Sequence, residues 1–344
     1  MRLPLARSSD RRAALDEYRE LCRVRLEHVV PVREALVLVS QVQRSGGTLL
    51  SQLFDGHPEC HAHPSEIYIG HPRKWEWPQL DLSAPETWFD VLYESPVELH
   101  LREGYVKHKE ARLEPGHDVY PFAFLPQLQR AIFEQAAAGA TGERDVLDAY
   151  FTSYFNAWLD NQNLYAAPKR AVTGFTPGLA VEPGNAERLF AAYPDGTLVS
   201  IVRDPGAWYE SASKYRERWN ELDGAIAEWT RSTQAALDAS KRFGDSVLVV
   251  TYEQLVRDPE GTMRRVADRI GIEFSSVLLE PTFNGRPVRA NSSERVQEYG
   301  ILEERTTAYR QSLDADTIAR IEELAGDLYA QAVALAAPVP SVGE

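Results

Sequence analysis

The chain has 344 residues, enough for one large α/β domain or two small ones with a substantial core. Hydrophobic residues make up 44% and charged residues 26%, and 37 basic against 51 acidic side chains give a net charge of −14, which argues against nucleic acid as a partner and requires any anion site to be a local cluster. Two cysteines, Cys22 and Cys60, are too few for a disulfide framework, no apolar run approaches bilayer length and "MRLPLARSSDRRAALDEY" lacks an apolar signal core, so the expectation is a cytoplasmic protein with no membrane span.

In chain order, residues 12–29 carry helical spacing, with Leu15, Tyr18, Cys22, Leu26 and Val29 on one face. "EALVLVS" then reads as a strand buried on both sides, because its apolar residues are continuous rather than alternating. "GGTLLSQLFDGHP" reads as a helix closed by Gly56 and Pro58. Residues 70–165 are rich in aromatics, among them Trp75, Trp77, Trp88, Tyr105, Tyr120, Phe122, Phe124, Tyr154 and Trp158, and read as helices and loops folded over a sheet. Two more buried strands are predicted at "GTLVSIV", 196–202, and "DSVLVVT", 245–251. Strands alternating with helices imply a parallel, right-handed α/β sheet with its site at the strand C-termini. The whole chain reads as one domain with a frayed tail over 336–344.

The stretch "VLVSQVQRSGGTLLSQLF" joins a buried strand to a helix through a glycine turn. Gly46 and Gly47 permit a tight turn and close approach of an anion, the following N–H groups from Thr48 onward point at it, and Arg44 adds a planar, permanently charged fork. An NTPase P-loop would place a lysine on the terminal phosphates and a hydroxyl on magnesium at a fixed spacing, and neither lysine nor spacing is present here. "SIVRDPGAWYESASKY" repeats the logic at a second strand end, with Arg203, a Pro-Gly turn and Ser211 in the next helix. Two arginine-led sites on one sheet suggest a ligand with two separated phosphates.

These stretches resemble the sulfotransferases that use 3′-phosphoadenosine 5′-phosphosulfate, particularly the bacterial and the tyrosylprotein or carbohydrate types. "RSGGTLL" is similar to their 5′-phosphosulfate motif, "VSIVRDPGAWYES" to their 3′-phosphate motif, "VTYEQLVRDPEGTMRRVADRIGIEF" to their YE-L-DP segment and "TFNGRPVRANSS" to the late loop over the nucleotide. The resemblance covers residues 35–66 and about 196–295 and says little about 70–165. It implies a P-loop-NTPase-like three-layer sandwich, a central parallel β-sheet flanked by helices. It further implies that Arg44 and the amides of Ser45, Gly46, Gly47, Thr48 and Leu49 bind the 5′-phosphosulfate and that Arg203 and Ser211 hold the 3′-phosphate. Tyr252 would contact the adenine side, and Asn291, Ser292 and Ser293 would lie in the closing loop.

An acceptor hydroxyl attacks sulfur better as its proton leaves, so a base is needed. Glu66 falls near the position of the glutamate base in the tyrosylprotein-type enzymes, and a short strand and turn in "HPECHAHPSEIYI" would return it towards the cradle. His57, Cys60, His61 and His63 are the rival base or a metal cluster, although their spacing gives no clear third and fourth ligand. The expectation is therefore sulfuryl transfer to a small-molecule, glycan or peptide hydroxyl, with Glu66 and Arg44 catalytic and no metal; a nucleotide kinase and a silent bisphosphate-binding regulator are the alternatives. The aromatic middle region is the expected acceptor pocket. Two departures stand out: many relatives carry lysine in a K-T-P element where "TGFTPG" has Phe175, leaving Lys169, Arg170, Lys107 or Lys109 as substitutes, and Tyr215 stands where an additional arginine is found, with Arg216 expected on another side of the helix.

Overall fold

The computed structural model describes residues 8–67, 76–93, 104, 119–290, 298–303 and 306–337. Its elements, in chain order, are α1 (Ser8–Glu27), β1 (Ala35–Ser40), α2 (Gly47–Gln52), β2 (Cys60–Glu66), α3 (Trp88–Leu92), α4 (Pro126–Ala136), α5 (Glu143–Ala157), β3 (Ala171–Phe175), α6 (Asn185–Ala192), β4 (Thr197–Val202), α7 (Pro205–Ser213), α8 (Leu222–Phe243), β5 (Val247–Thr251), α9 (Tyr252–Arg257), α10 (Pro259–Ile270), β6 (Thr282–Phe283), β7 (Arg286–Pro287), α11 (Tyr309–Ser312) and α12 (Ala315–Ala336). The five strands β1–β5 form one parallel sheet in the order β2-β3-β1-β4-β5, and β6 pairs with β7 in a small antiparallel hairpin.

The continuous apolar runs follow from burial on both sheet faces. Because side chains alternate along a strand, Leu36 and Leu38 of β1 enter one apolar cluster while Val37 and Val39 enter another. β4 divides the same way, Leu198 to the first cluster and Val199 and Ile201 to the second. The first face is covered by α5, α6 and the aromatic middle region, with α7, α8 and α12 extending the same layer over β5. The second is covered by α2, α9 and α10. Each fully buried Val or Leu contributes about 1.5–3 kcal/mol, so helix, sheet and helix are held as three layers.

Three sequence expectations change here. Trp77, Trp88, Tyr120, Phe122, Phe124, Tyr154 and Trp158 are buried core, not the lining of an acceptor pocket; Trp75 and Tyr105 lie outside the described residues. The predicted apolar face of α1 is covered only in part: Leu15 is 50% and Tyr18 40% exposed, while Cys22, Leu26 and Val29 are half-buried. The helix after the glycine turn ends at Gln52, well short of Gly56.

β1 lies at the centre of the sheet, and the chain leaves it for β2 on one side and later crosses to β4 on the other. A crevice opens where connections from adjacent strands diverge to opposite sides, outside their carboxyl ends. The segments after β1 and β4 carry Arg44 and Arg203.

Candidate active site

The turn after β1 is fastened before it reaches its glycines. Gln41 accepts a hydrogen bond from Ser232 Oγ at 2.8 Å, Val42 N donates to the same hydroxyl at 3.0 Å, and Trp208 Nε1 donates to the Gln43 carbonyl at 2.8 Å. Arg44 then adopts φ 76°, a left-handed conformation that costs a non-glycine residue energy, and its carbonyl accepts from Arg203 Nη1 at 3.0 Å. Ser45 is buried with its hydroxyl unpartnered.

Gly46 has φ 100°, and a Cβ there would lie 2.5 Å from the Tyr252 ring; one on Gly47 would lie 2.3 Å from the Phe175 ring. Both positions therefore require glycine. The first helical bond of α2 runs from Leu50 N to Gly46 O at 3.0 Å, and helix geometry leaves the amides of Gly47, Thr48 and Leu49 without an intrahelical acceptor. A shallow cradle of N–H groups results, walled by two aromatic rings.

Arg44 and Arg203 converge beside it. Arg44 Nε donates to Ser211 Oγ at 3.1 Å, and its guanidinium lies 5.2 Å from the centre of the Tyr215 ring. Burial, and then the positive charge of Arg203, hold this guanidinium below the usual arginine pKa. Arg203 is 9% exposed, its Nε has no partner, and its guanidinium lies 4.7 Å over the Tyr252 ring. Among the described residues neither arginine pairs with a carboxylate. Two adjacent cations, one buried and one half-buried, without a paired carboxylate are costly alone and are relieved by an anion. The two arginine sites, read from the sequence as separate, meet at neighbouring strand ends.

Tyr252 is thus a platform between the glycine turn and Arg203, a role that the sequence does not signal beyond the "TYEQL" stretch. Glu66 ends β2 opposite Phe175 in register, after an irregularity between Ala62 and Glu66, and is half-buried. Ile67 N donates to the Phe175 carbonyl at 2.7 Å, so Glu66, Phe175 and Gly47 follow one another across the cradle end of the sheet.

Of the rival groups, His63 lies further along β2, beside Gly174, and the others lie at the start of the strand. Cys60 and His61 begin β2, at the opposite end of the sheet, with His57 just before them. His57 Nε2 lies 2.9 Å from the Glu273 carbonyl, and burial lowers its pKa. Burial pushes the Cys60 thiol up to about 12 and the His61 imidazole down to about 3, and His63 stacks on Tyr154 at 4.6 Å. Among the described residues no group of His, Cys, Asp and Glu is placed to hold a metal. Lys169 and Arg170 sit at the foot of β3, donating to Pro58 O at 2.7 Å and to Glu59 at 2.7 Å, so neither replaces a lysine at position 175. Lys107, Lys109, Asn291, Ser292 and Ser293 lie outside the described residues. Arg216 follows the end of α7 at Ser213, and its guanidinium lies 5.4 Å from the Tyr215 ring centre and 5.2 Å from that of Trp219.

No functionally curated protein matches the sequence. Among solved structures, the chain is similar to the sulfotransferase domain of the olefin synthase of Synechococcus PCC 7002 at 19% identity, covering 90% of this chain and 98% of that one with TM-score 0.49. It is likewise similar to the sulfotransferase domain of the curacin biosynthetic pathway at 17% identity, 84% and 96% coverage and TM-score 0.47. A sulfotransferase from Mycobacterium avium aligns at 16% identity over 94% and 82% with TM-score 0.40. The profile described as "Sulfotransferase family" matches residues 37–276, which include the glycine turn, both arginines and Glu66, and the chain belongs to that family.

Proposed function

We propose that the protein transfers a sulfuryl group from 3′-phosphoadenosine 5′-phosphosulfate to a hydroxyl acceptor. The observation that carries this reading is the convergence of Arg44, Arg203 and Ser211 beside a backbone-amide cradle, with one half-buried and one buried guanidinium and, among the described residues, no carboxylate paired with either. The residues fit a nucleotide with two anionic arms: Arg203 Nε and the Ser45 hydroxyl are buried polar groups without partners, and the amides of Gly47, Thr48 and Leu49 have no intrahelical acceptor. Arg203 and Ser211 would hold the 3′-phosphate, while Arg44 and the amides from Ser45 to Leu49 would hold the 5′-phosphosulfate. The turn has no lysine, which speaks against an ATP-dependent kinase.

In the transfer, the acceptor oxygen bonds to sulfur as the bond from sulfur to the bridging oxygen breaks, and 3′-phosphoadenosine 5′-phosphate leaves. Glu66 takes the acceptor proton. Arg44 faces the charge that develops on the leaving oxygen, the stage at which a preorganised donor is most effective. Free Cys22 and Cys60 favour a cytoplasmic setting.

The test is mass spectrometry of phenol, sterol, sugar and peptide hydroxyls incubated with the sulfate donor. An added SO3 that depends on enzyme and donor supports the reading; no transfer to any class, with donor bound, contradicts it.

A further inference from the structure

Behind Arg203 runs a set of hydrogen bonds that the transfer chemistry does not use. The peptide unit joining Arg203 to Asp204 is held at both ends: its carbonyl accepts from Trp229 Nε1 at 3.0 Å, and its N–H donates to Glu253 Oε1 at 3.1 Å. The other oxygen of Glu253 accepts from the Tyr329 phenol of α12 at 2.9 Å. Asp204 Oδ1 accepts from Gly206 N at 2.9 Å and Ala207 N at 3.0 Å, capping α7, the helix that presents Ser211. Its Oδ2 accepts from the Tyr309 phenol at 3.3 Å.

Glu253 is buried, and burial raises its carboxyl pKa. A carboxyl in that position is expensive unless its hydrogen bonds are required. The peptide that it grips sets the direction of the Arg203 side chain, and Glu253 is the immediate neighbour of Tyr252, on whose ring that side chain rests.

We propose that Glu253 and Tyr329 are positioning residues of the 3′-phosphate anchor, fixing the Arg203–Asp204 peptide and the start of α7 so that Arg203 and Ser211 converge on one anion. The proposal rests on the nucleotide reading above. Neither residue touches the nucleotide in this account; each acts through Arg203.

The experiment is calorimetric titration of the full chain with 3′-phosphoadenosine 5′-phosphate and, separately, with adenosine 5′-phosphosulfate, which lacks the 3′-phosphate. Tyr329→Phe, which keeps the ring and removes one hydrogen bond to a buried carboxyl, should weaken the bisphosphate roughly tenfold and leave the phosphosulfate unchanged. Glu253→Ala should weaken it more. Glu253→Gln should stay within roughly threefold of wild type, because an amide still accepts from Asp204 N and can donate to the phenol oxygen. Wild-type bisphosphate affinity in Tyr329→Phe and Glu253→Ala, with Arg203→Ala impaired, would overturn the proposal, as would equal losses for both nucleotides. Undiminished bisphosphate binding in Arg203→Ala would overturn the nucleotide reading itself.

Discussion

Arg44 reaches across the gap between the ends of β1 and β4 and donates to the hydroxyl of Ser211, 3.1 Å away. This contact makes one site of two stretches more than 150 residues apart in sequence, since 211 minus 44 is 167. It also gives Arg44 two neighbours, the cradle amides on one side and the Arg203 anchor on the other.

Arg44→Ala should therefore impair both binding and chemistry. By comparison with the loss of one oxyanion donor, the barrier should rise by about 2.7–4 kcal/mol. Steady-state kinetics with varied donor would show kcat falling together with donor affinity. An increase in KM alone would mean that Arg44 only binds.

Glu66→Gln should remove proton transfer and leave nucleotide binding intact. General-base catalysis is typically worth roughly 10²–10⁴-fold, so kcat should fall within that range for an acceptor of high pKa and less for an acidic phenol. A variant with full activity on both acceptors would assign the base elsewhere.

Gly47 and Phe175 should behave as a coupled pair. A methyl on Gly47 would lie 2.3 Å from the Phe175 ring, and overpacking of this kind costs about 1–3 kcal/mol. Gly47→Ala should lower the unfolding midpoint and weaken donor binding, and Phe175→Leu in the same chain should recover part of both. Additive effects in the double mutant, measured by urea denaturation, would show that the ring is not what excludes the side chain. The pair also gives a physical account of the departure at Phe175: an aromatic ring there is compatible with glycine at 47.

His61 should make the protein acid-sensitive. Burial holds its imidazole at about 3, against the ordinary 6.5. Between those values the unfolded chain binds a proton that the folded one refuses, so the contribution is present above pH 6.5 and is lost as pH falls towards 3. The loss should reach about 2 kcal/mol by pH 5. Asp148, raised to about 6 chiefly by burial, works in the opposite direction, its contribution being lost as pH rises from 3.8 through 6. Comparison of wild type with His61→Leu isolates the histidine: urea-derived stability should fall less steeply with acid in the variant. Parallel slopes would contradict a buried neutral imidazole.

The strands that were legible in the sequence are those buried on both faces, because continuous Val, Leu and Ile leave few other readings. β3 was not, since "AVTGF" is short and carries Gly174, whose Cβ would lie 2.1 Å from Ile67 Cδ1. That glycine answers to a neighbour just past the end of β2, which no local pattern reveals. Arg44 and Arg203 were visible because a charged residue after an apolar run is conspicuous, and Ser211 because the stretch that holds it resembles a 3′-phosphate motif. Tyr252, Glu253 and Tyr329 acquire their roles from packing between elements, and the aromatic middle region looked like a pocket only because core and ligand surfaces draw on the same residue types.

The central claim is tested most directly by a crystal structure with 3′-phosphoadenosine 5′-phosphate. The account predicts the 3′-phosphate between Arg203 and Ser211 and the 5′-phosphate on the amides of Gly47, Thr48 and Leu49, within reach of Arg44. A nucleotide bound away from the carboxyl ends of β1 and β4, touching neither Arg44 nor Arg203, would contradict it.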